Sequence, residues 1–275
     1  MSIVSTSGKT RLRAALERAA AGGRPCIGQW MEFPGFSLSR TIAALGEDWV
    51  LIDCEHGNIA DADMYLAVAA IASAGASPIV RVPASEPWLF KRALDCGAHG
   101  LLIPMCETRE QAEMIANACR YPNAQNGGEG FRGAGAMFAP AYFQQDGRAY
   151  IQHANENITV IVQIETKKAV ENVEEIAAVE GIDGLFVGPN DLAASMGFFP
   201  LDHGKHDEVQ EATARVLAVG KKAGKFVGHF AESAAFRINQ GFDFVNCGAD
   251  IVAITSWMSS EMGKLAKLVK DKEHN

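Results

Sequence analysis

No C-x-x-C pair occurs among the six cysteines of this 275-residue chain, which stand apart at positions 26, 54, 96, 106, 119 and 247. That spacing offers neither a zinc ribbon nor a disulfide framework, so reduced thiols and a cytoplasmic protein are expected. The N-terminal segment MSIVSTSGKTRLRAALERAAAGG lacks an apolar signal core. No run approaches the ~18 consecutive apolar residues of a membrane-spanning helix. Positive charge is in deficit, with 25 Lys and Arg against 33 Asp and Glu and a formal net charge of −8. This argues against nucleic acid or an anionic membrane as a partner.

Several catalytic signatures are missing as well. There is no G-x-S-x-G, so a serine hydrolase elbow is excluded. The G-x-G-x-x-G match at Gly128–Gly133 follows a helical pattern and YPN rather than a strand, which removes it as a dinucleotide fingerprint. His203 and His206 lie in a polar stretch with no Cys or carboxylate cluster at ligand spacing. Lysine is absent from the places where an imine-forming barrel enzyme would need it. Lys91, Lys221, Lys222 and Lys264 fall on helical patterns, Lys225 opens its strand, and Lys167 follows Glu165 outward. This placement argues against imine chemistry and makes metal-assisted enolisation the better fit.

What the chain does have is a strand–helix beat. Candidate strands lie near 26–32, 49–54, 78–83, 100–104, 158–165, 183–188, 226–230 and 242–247, with helical patterns filling most gaps. Val- and Ile-rich strands read as buried on both faces, as in a parallel sheet covered by helices. Eight such units in ~250 residues predict a single (β/α)8 TIM barrel over 1–275, opened by a helix in TRLRAALERAAAGG and closed by one after 250. Residues 105–157 are too long for one crossover and carry RYPNAQNGGEGFRGAGAMFAPAYF, which predicts a lid or an interface insertion within the domain.

Polar groups gather where the strands end. WVLIDCEHG delivers Asp53, Glu55 and His56, PIVRVP delivers Arg81, ITVIVQIET delivers Gln163 and Glu165 on one face, and GLFVGPNDLA delivers Asn190 and Asp191. In a barrel, that end is where catalytic groups sit. Two carboxylates with water suit a hard divalent ion that keeps positions open for a substrate. The bland alternatives are a Glu165 pair with Lys167 or Lys168, and an Asp191 that only caps a helix. A helix starting near Asn190 would offer free N–H groups to a carboxylate. His56 is the candidate general base. Asp95, in KRALDCG, could orient an imidazole or simply be solvated. Arg81 needs an anionic partner such as Asp53 or Glu55, or it stabilises an enolate, or both.

The motifs DWVLIDCEHG, IVRVP, KRALDCGAHGLLIPM, RYP with FRGAG, VQIET and GLFVGPNDLAASMG, taken together over about Gly28 to Gly248, resemble the HpcH/HpaI family of metal-dependent pyruvate aldolases. The resemblance implies reversible C–C cleavage of 4-hydroxy-2-oxo acids to pyruvate and an aldehyde through a metal-bound enolate. It implies Glu165 and Asp191 as ligands of Mg²⁺, Mn²⁺ or Co²⁺, with Gln163 and the Asn190 and Asp191 N–H groups on the substrate. Arg81 would stabilise the enolate, and His56 would be the acid/base with Asp53 in support and Asp95 as dyad partner. A homohexamer, built as a trimer of dimers in which terminal helices can be exchanged between neighbours, is also implied. Two features depart from the family: Glu55-His56-Gly57-Asn58 in place of E-H-A-P, and the insertion AQNGGEG before FRGAG. Both look similar to macrophomate synthase, an oxaloacetate-decarboxylating relative, which provides the alternative function. A non-catalytic barrel that binds 2-oxo acids is the remaining alternative.

Overall fold

The computed structural model describes residues 8–122, 128–230 and 234–273. Eight parallel strands close into a barrel in sequence order: β1 (Cys26–Met31), β2 (Trp49–Asp53), β3 (Ser77–Arg81), β4 (Gly100–Ile103), β5 (Thr159–Ile164), β6 (Gly184–Val187), β7 (Phe226–His229) and β8 (Phe244–Ala249). The strands come within one or two residues of where the apolar runs place them. β2 to β6 are buried along their whole length. The barrel has side chains inside and helices outside, so both faces of each strand are dry.

The helices are α1 (Arg11–Ala20), α2 (Phe36–Ala43), α3 (Asp61–Ala74), α4 (Pro87–Cys96), α5 (Arg109–Ala118), α6 (Ala139–Tyr142), α7 (Gly147–Asn157), α8 (Lys167–Glu171), α9 (Val173–Ala177), α10 (Pro189–Ser195), α11 (Asp207–Lys222), α12 (Ala234–Gln240) and α13 (Asp250–Glu273). Their ends follow local chemistry. Thr108 and Gln111 form a capping box at α5. Gly75 and Gly97 close α3 and α4 with φ of +97° and +101°. The pattern KAVENVEEIAAV predicts one helix, but the chain makes α8 and α9 with Asn172 between them, its Nδ2 donating to the Glu107 carbonyl at 2.8 Å.

Two apolar layers result. The larger fills the space between strands and helices. The smaller fills the lumen with Trp30, Trp49, Leu51, Ile79, Leu102, Ile161, Phe186 and Phe244, and includes Leu12 and Leu16 of α1. Thus α1 plugs the end where the strands begin. It is fastened there by Leu12 N–H to Ser77 Oγ at 2.9 Å and by Arg13 to Asp183 at 2.7 Å. Lys225, at the same end, donates to the carbonyls of Val179 and Ile182 at 3.0 and 2.7 Å, away from the barrel mouth.

Within 105–157, α6 and α7 are built into the outer layer through Phe143, Tyr150 and Ala154, while Phe131, Met137 and Phe138 are exposed. Most of the AQNGGEG insertion, residues 124–127, lies outside the described residues. Among the described residues no helix is long and apolar enough to cross a membrane.

Candidate active site

Asp53 ends β2 in register with Arg81 at the end of β3. Adjacent parallel strands therefore deliver an acid and a guanidinium side by side into the lumen. Arg81 Nε donates to Asp53 Oδ1 at 2.9 Å and Arg81 Nη2 to Asp53 Oδ2, a forked pair. The same carboxylate accepts from Trp30 Nε1 at 2.9 Å and from the backbone N–H groups of Glu55 and His56 at 3.0 and 3.2 Å. Burial alone would raise the Asp53 pKa, but the hydrogen bond and charge of Arg81 hold it below the usual carboxylate range. Arg81 also reaches Glu55 Oε2 at 2.9 Å and lies over the Trp30 ring at 4.8 Å. The structural and functional readings of Arg81 are thus compatible, because its partners fix the guanidinium at the lumen's mouth.

Across the barrel, Gln163 near the end of β5 connects to this network. Its Oε1 accepts from Arg81 Nη1 at 3.4 Å, and its Nε2 donates to Glu165 Oε2. Glu165 Oε1 accepts from the Met105 N–H at 2.8 Å. Met105, just past β4, has a φ of +56°, an uncommon backbone setting for a non-glycine residue. The lysine pairing offered as the bland reading of Glu165 is not what forms, since Lys168 pairs with Glu107 at 3.1 Å. Asp191 is the third residue of α10, whose N-cap is Gly188.

Burial, followed by the charges of Asp191 and Glu55, pushes the Glu165 carboxyl up to about 7 despite the Met105 hydrogen bond. A buried acid facing a second acid fits a hard divalent cation, which would relieve both the desolvation and the repulsion. Among the described residues no group of three or more His, Cys, Asp or Glu forms a protein cage. A two-carboxylate set leaves positions for water and substrate oxygens.

These residues open onto a cavity of about 220 Å³ lined by Trp30, Glu32, His56, Arg81, Gln163, Phe186, Gly188, Pro189, Asn190, Asp191 and Phe230. His56 is exposed at its rim. Gly188 has a steric reason to be glycine: a Cβ there would run into Glu165 Oε2 and come within 3.1 Å of Gln163 Nε2. Of the sequence-predicted residues, Asp53, Arg81, Gln163 and Glu165 form one bonded network, while His56, Asn190 and Asp191 line the same cavity. Asp95 is not among the lining residues. It is on α4, where Arg132 Nη2 donates to it at 3.0 Å.

Sequence reasoning passed over the aromatic wall of Trp30, Phe186 and Phe230, and passed over Glu32 and Asp250. Trp30 sits between Phe186 and Phe230, with ring centroids 5.9 and 5.1 Å away. Glu32 directly follows β1, so the signal that singled out Glu165, an acid at a strand exit, was present there too.

The HpcH/HpaI aldolase/citrate lyase family model matches residues 28–256. A hydroxypyruvate/pyruvate aldolase of Paraburkholderia phytofirmans is 41% identical over 240 residues, covering 85% of this chain and 89% of that protein. The crystal structure of an HpcH/HpaI aldolase/citrate lyase family protein from Burkholderia cenocepacia is 38% identical, with a TM-score of 0.84 over 92% of this chain and 99% of that one. That of macrophomate synthase is 26% identical, with a TM-score of 0.85 over 98% of this chain and 93% of that one.

Proposed function

Because the chain belongs to the HpcH/HpaI aldolase/citrate lyase family, we propose that it is a divalent-metal-dependent aldolase. It would reversibly cleave 4-hydroxy-2-oxo acids into an aldehyde and pyruvate, or hydroxypyruvate as in the name of the Paraburkholderia relative. The observation that carries this reading is the continuous chain Asp53–Arg81–Gln163–Glu165, which opens onto one cavity with Asp191 and His56.

Glu165 and Asp191 would hold Mg²⁺, Mn²⁺ or Co²⁺. When bound, the ion supplies Lewis-acid polarisation of the 2-oxo group. The N–H groups of Asn190 and Asp191, in the first turn of α10 and without intrahelical acceptors, take the substrate carboxylate. Gln163, with its amide fixed by Arg81 and Glu165, orients the 2-oxo acid. His56 removes the 4-hydroxyl proton, the C3–C4 electron pair passes to the departing three-carbon unit as an enolate, and the aldehyde leaves. Arg81 stabilises the enolate oxygen, and Asp53 positions Arg81 for that role. Trp30, Phe186 and Phe230 keep water from the carbanion. The six unpaired cysteines support a cytoplasmic setting. The exposed apolar side chains of α13 support assembly into a hexamer.

The test is deuterium exchange at the pyruvate methyl group, in protein stripped with EDTA and then given Mg²⁺, Mn²⁺ or Co²⁺. Metal-dependent exchange is the expected result, and its absence with every metal would overturn the reading. The likeness to macrophomate synthase over nearly the whole chain supports a second reading, enolate formation by decarboxylation of oxaloacetate. Release of CO₂ from oxaloacetate much faster than any aldol cleavage would favour it.

A further inference from the structure

Among the described lining residues, Glu32 is the one acid that the proposed chemistry does not use. It follows β1, and in an eight-stranded closed barrel β1 lies four strands from β5, across the mouth from Gln163 and Glu165. Its backbone is held on both sides. The Glu32 N–H donates to both oxygens of Asp250 at 3.0 and 3.1 Å, and the Phe33 N–H donates to Asp250 Oδ2 at 3.0 Å. The Glu32 carbonyl accepts from the Asn58 N–H at 2.9 Å. Gly57 allows the two loops to meet, since a Cβ there would lie 2.9 Å from Glu32 O and 3.0 Å from Glu32 Cα. The side chain is therefore delivered to the cavity from a fixed platform rather than from a mobile loop.

The carboxylate itself takes no hydrogen bond from the described residues, although it is half-buried and lines the cavity. Burial, then the charges of Asp53 and Asp250, push its pKa up, which marks the position as costly for an acid the fold does not repay with a partner. An ionised carboxylate only accepts hydrogen bonds, so the missing partner is a donor. A cationic donor is disfavoured by Arg81 and by the divalent ion the site would hold. A hydroxyl is compatible with both. Arg81 is already paired with Asp53 and Glu55, so among the described lining residues no unpaired arginine or lysine remains for a carboxylate on the incoming aldehyde.

We propose that Glu32 sets acceptor specificity: its carboxylate accepts a hydrogen bond from a hydroxyl on the aldehyde, and its charge excludes aldehydes that carry a carboxylate. The inference rests on the aldolase reading and adds the substrate class. The donor is held on the β5–β6 side, and the new C–C bond extends towards the β1–β2 side, where Glu32 and His56 stand.

The experiment compares kcat/KM for three two-carbon acceptors with pyruvate as donor: glycolaldehyde, acetaldehyde and glyoxylate. They differ in the group on the formyl carbon, which is hydroxymethyl, methyl or carboxylate. The wild type should favour glycolaldehyde over each of the others by about tenfold or more, the span of one charge-assisted hydrogen bond. Glu32→Leu should erase the preference over acetaldehyde. Glu32→Gln, which keeps an acceptor oxygen but not the charge, should raise glyoxylate relative to glycolaldehyde by about tenfold. A merely structural role would lower all three rates by a common factor. Ratios unmoved in both variants, while wild-type protein still exchanges the pyruvate methyl protons, would overturn the assignment alone. A wild type without exchange would remove the aldolase reading and this assignment with it.

Discussion

At the scale of single residues, the site depends on Asp53, which joins Trp30, Arg81 and the loop carrying His56. Its carboxylate is buried and its partner Arg81 nearly so. Asp53→Asn would leave a guanidinium in the lumen without its forked acceptor, at a cost of about 3–5 kcal/mol, measurable by urea unfolding. The same variant should lower kcat/KM by about 10²–10³, because Arg81 would no longer be held where charge develops. Glu165→Gln makes the opposite kind of change. It removes a charge that burial and Asp191 already oppose, so stability without metal should be unchanged or higher. The rise in Tm on adding Mn²⁺ should disappear, and methyl exchange should fall by at least about 100-fold. A variant that kept both would rule out Glu165 as a ligand. Alternation along a strand made Gln163 and Glu165 readable as neighbours on one face. It could not reveal that Met105 N–H and Arg81 tie them in place, because those contacts come from strands distant in sequence.

Elements set the precision of this arrangement. The turn from β6 into α10 passes so close to β5 that Gly188 touches the space of Glu165 and Gln163. Its φ of −93° is open to any residue, so the constraint is contact and not backbone freedom. Gly188→Ala should therefore fold and retain its circular dichroism spectrum, yet lose most metal binding and exchange. Normal turnover in that variant would contradict the packing.

At the opposite end of the barrel, His99 precedes β4 and bonds Ser77 Oγ at 2.9 Å and the Tyr142 carbonyl at 3.1 Å, joining β3 to α6. Burial lowers its pKa from 6.5 to about 4. The folded state then binds fewer protons than the unfolded chain between those values. His99 is neutral in both states above pH 6.5, and stability is lost as pH falls towards 4, on the order of 3 kcal/mol. His99→Gln should flatten that part of the unfolding free energy against pH, as read by denaturant titration at fixed pH. The strands themselves were legible because buried runs of Val and Ile between Gly and Pro mark them locally. The helices α6, α7 and α12 are not legible, since α6 is only Ala-Pro-Ala-Tyr and the apolar pattern of α7 and α12 is too sparse to stand out from loop until the barrel supplies a surface to pack on.

For the whole molecule, the two ends of the barrel divide stability from chemistry. The end where strands begin is closed by α1 and by ion pairs of Asp48 and Asp183 with arginines. The end where they finish carries every residue of the proposed mechanism. The 24-residue α13 departs from that second end and stays almost wholly exposed, with Trp257, Met262 and Leu265 at 67%, 71% and 63%. A helix presenting a long apolar stripe to water is stable only when something covers it. Copies of this chain satisfy that need in the proposed hexamer, and wild-type protein should elute at six times the 29.4 kDa chain mass by light scattering. Trp257→Glu with Leu265→Glu should reduce the assembly without unfolding the barrel. A wild-type monomer would sink the proposal. The assembly should also reach the chemistry, because α13 begins at Asp250, the residue that holds the Glu32 and Phe33 backbone. Loosening α13 frees that platform. The dissociated variant should accordingly lose discrimination between glycolaldehyde and glyoxylate before it loses pyruvate exchange, which depends on β3, β5 and β6.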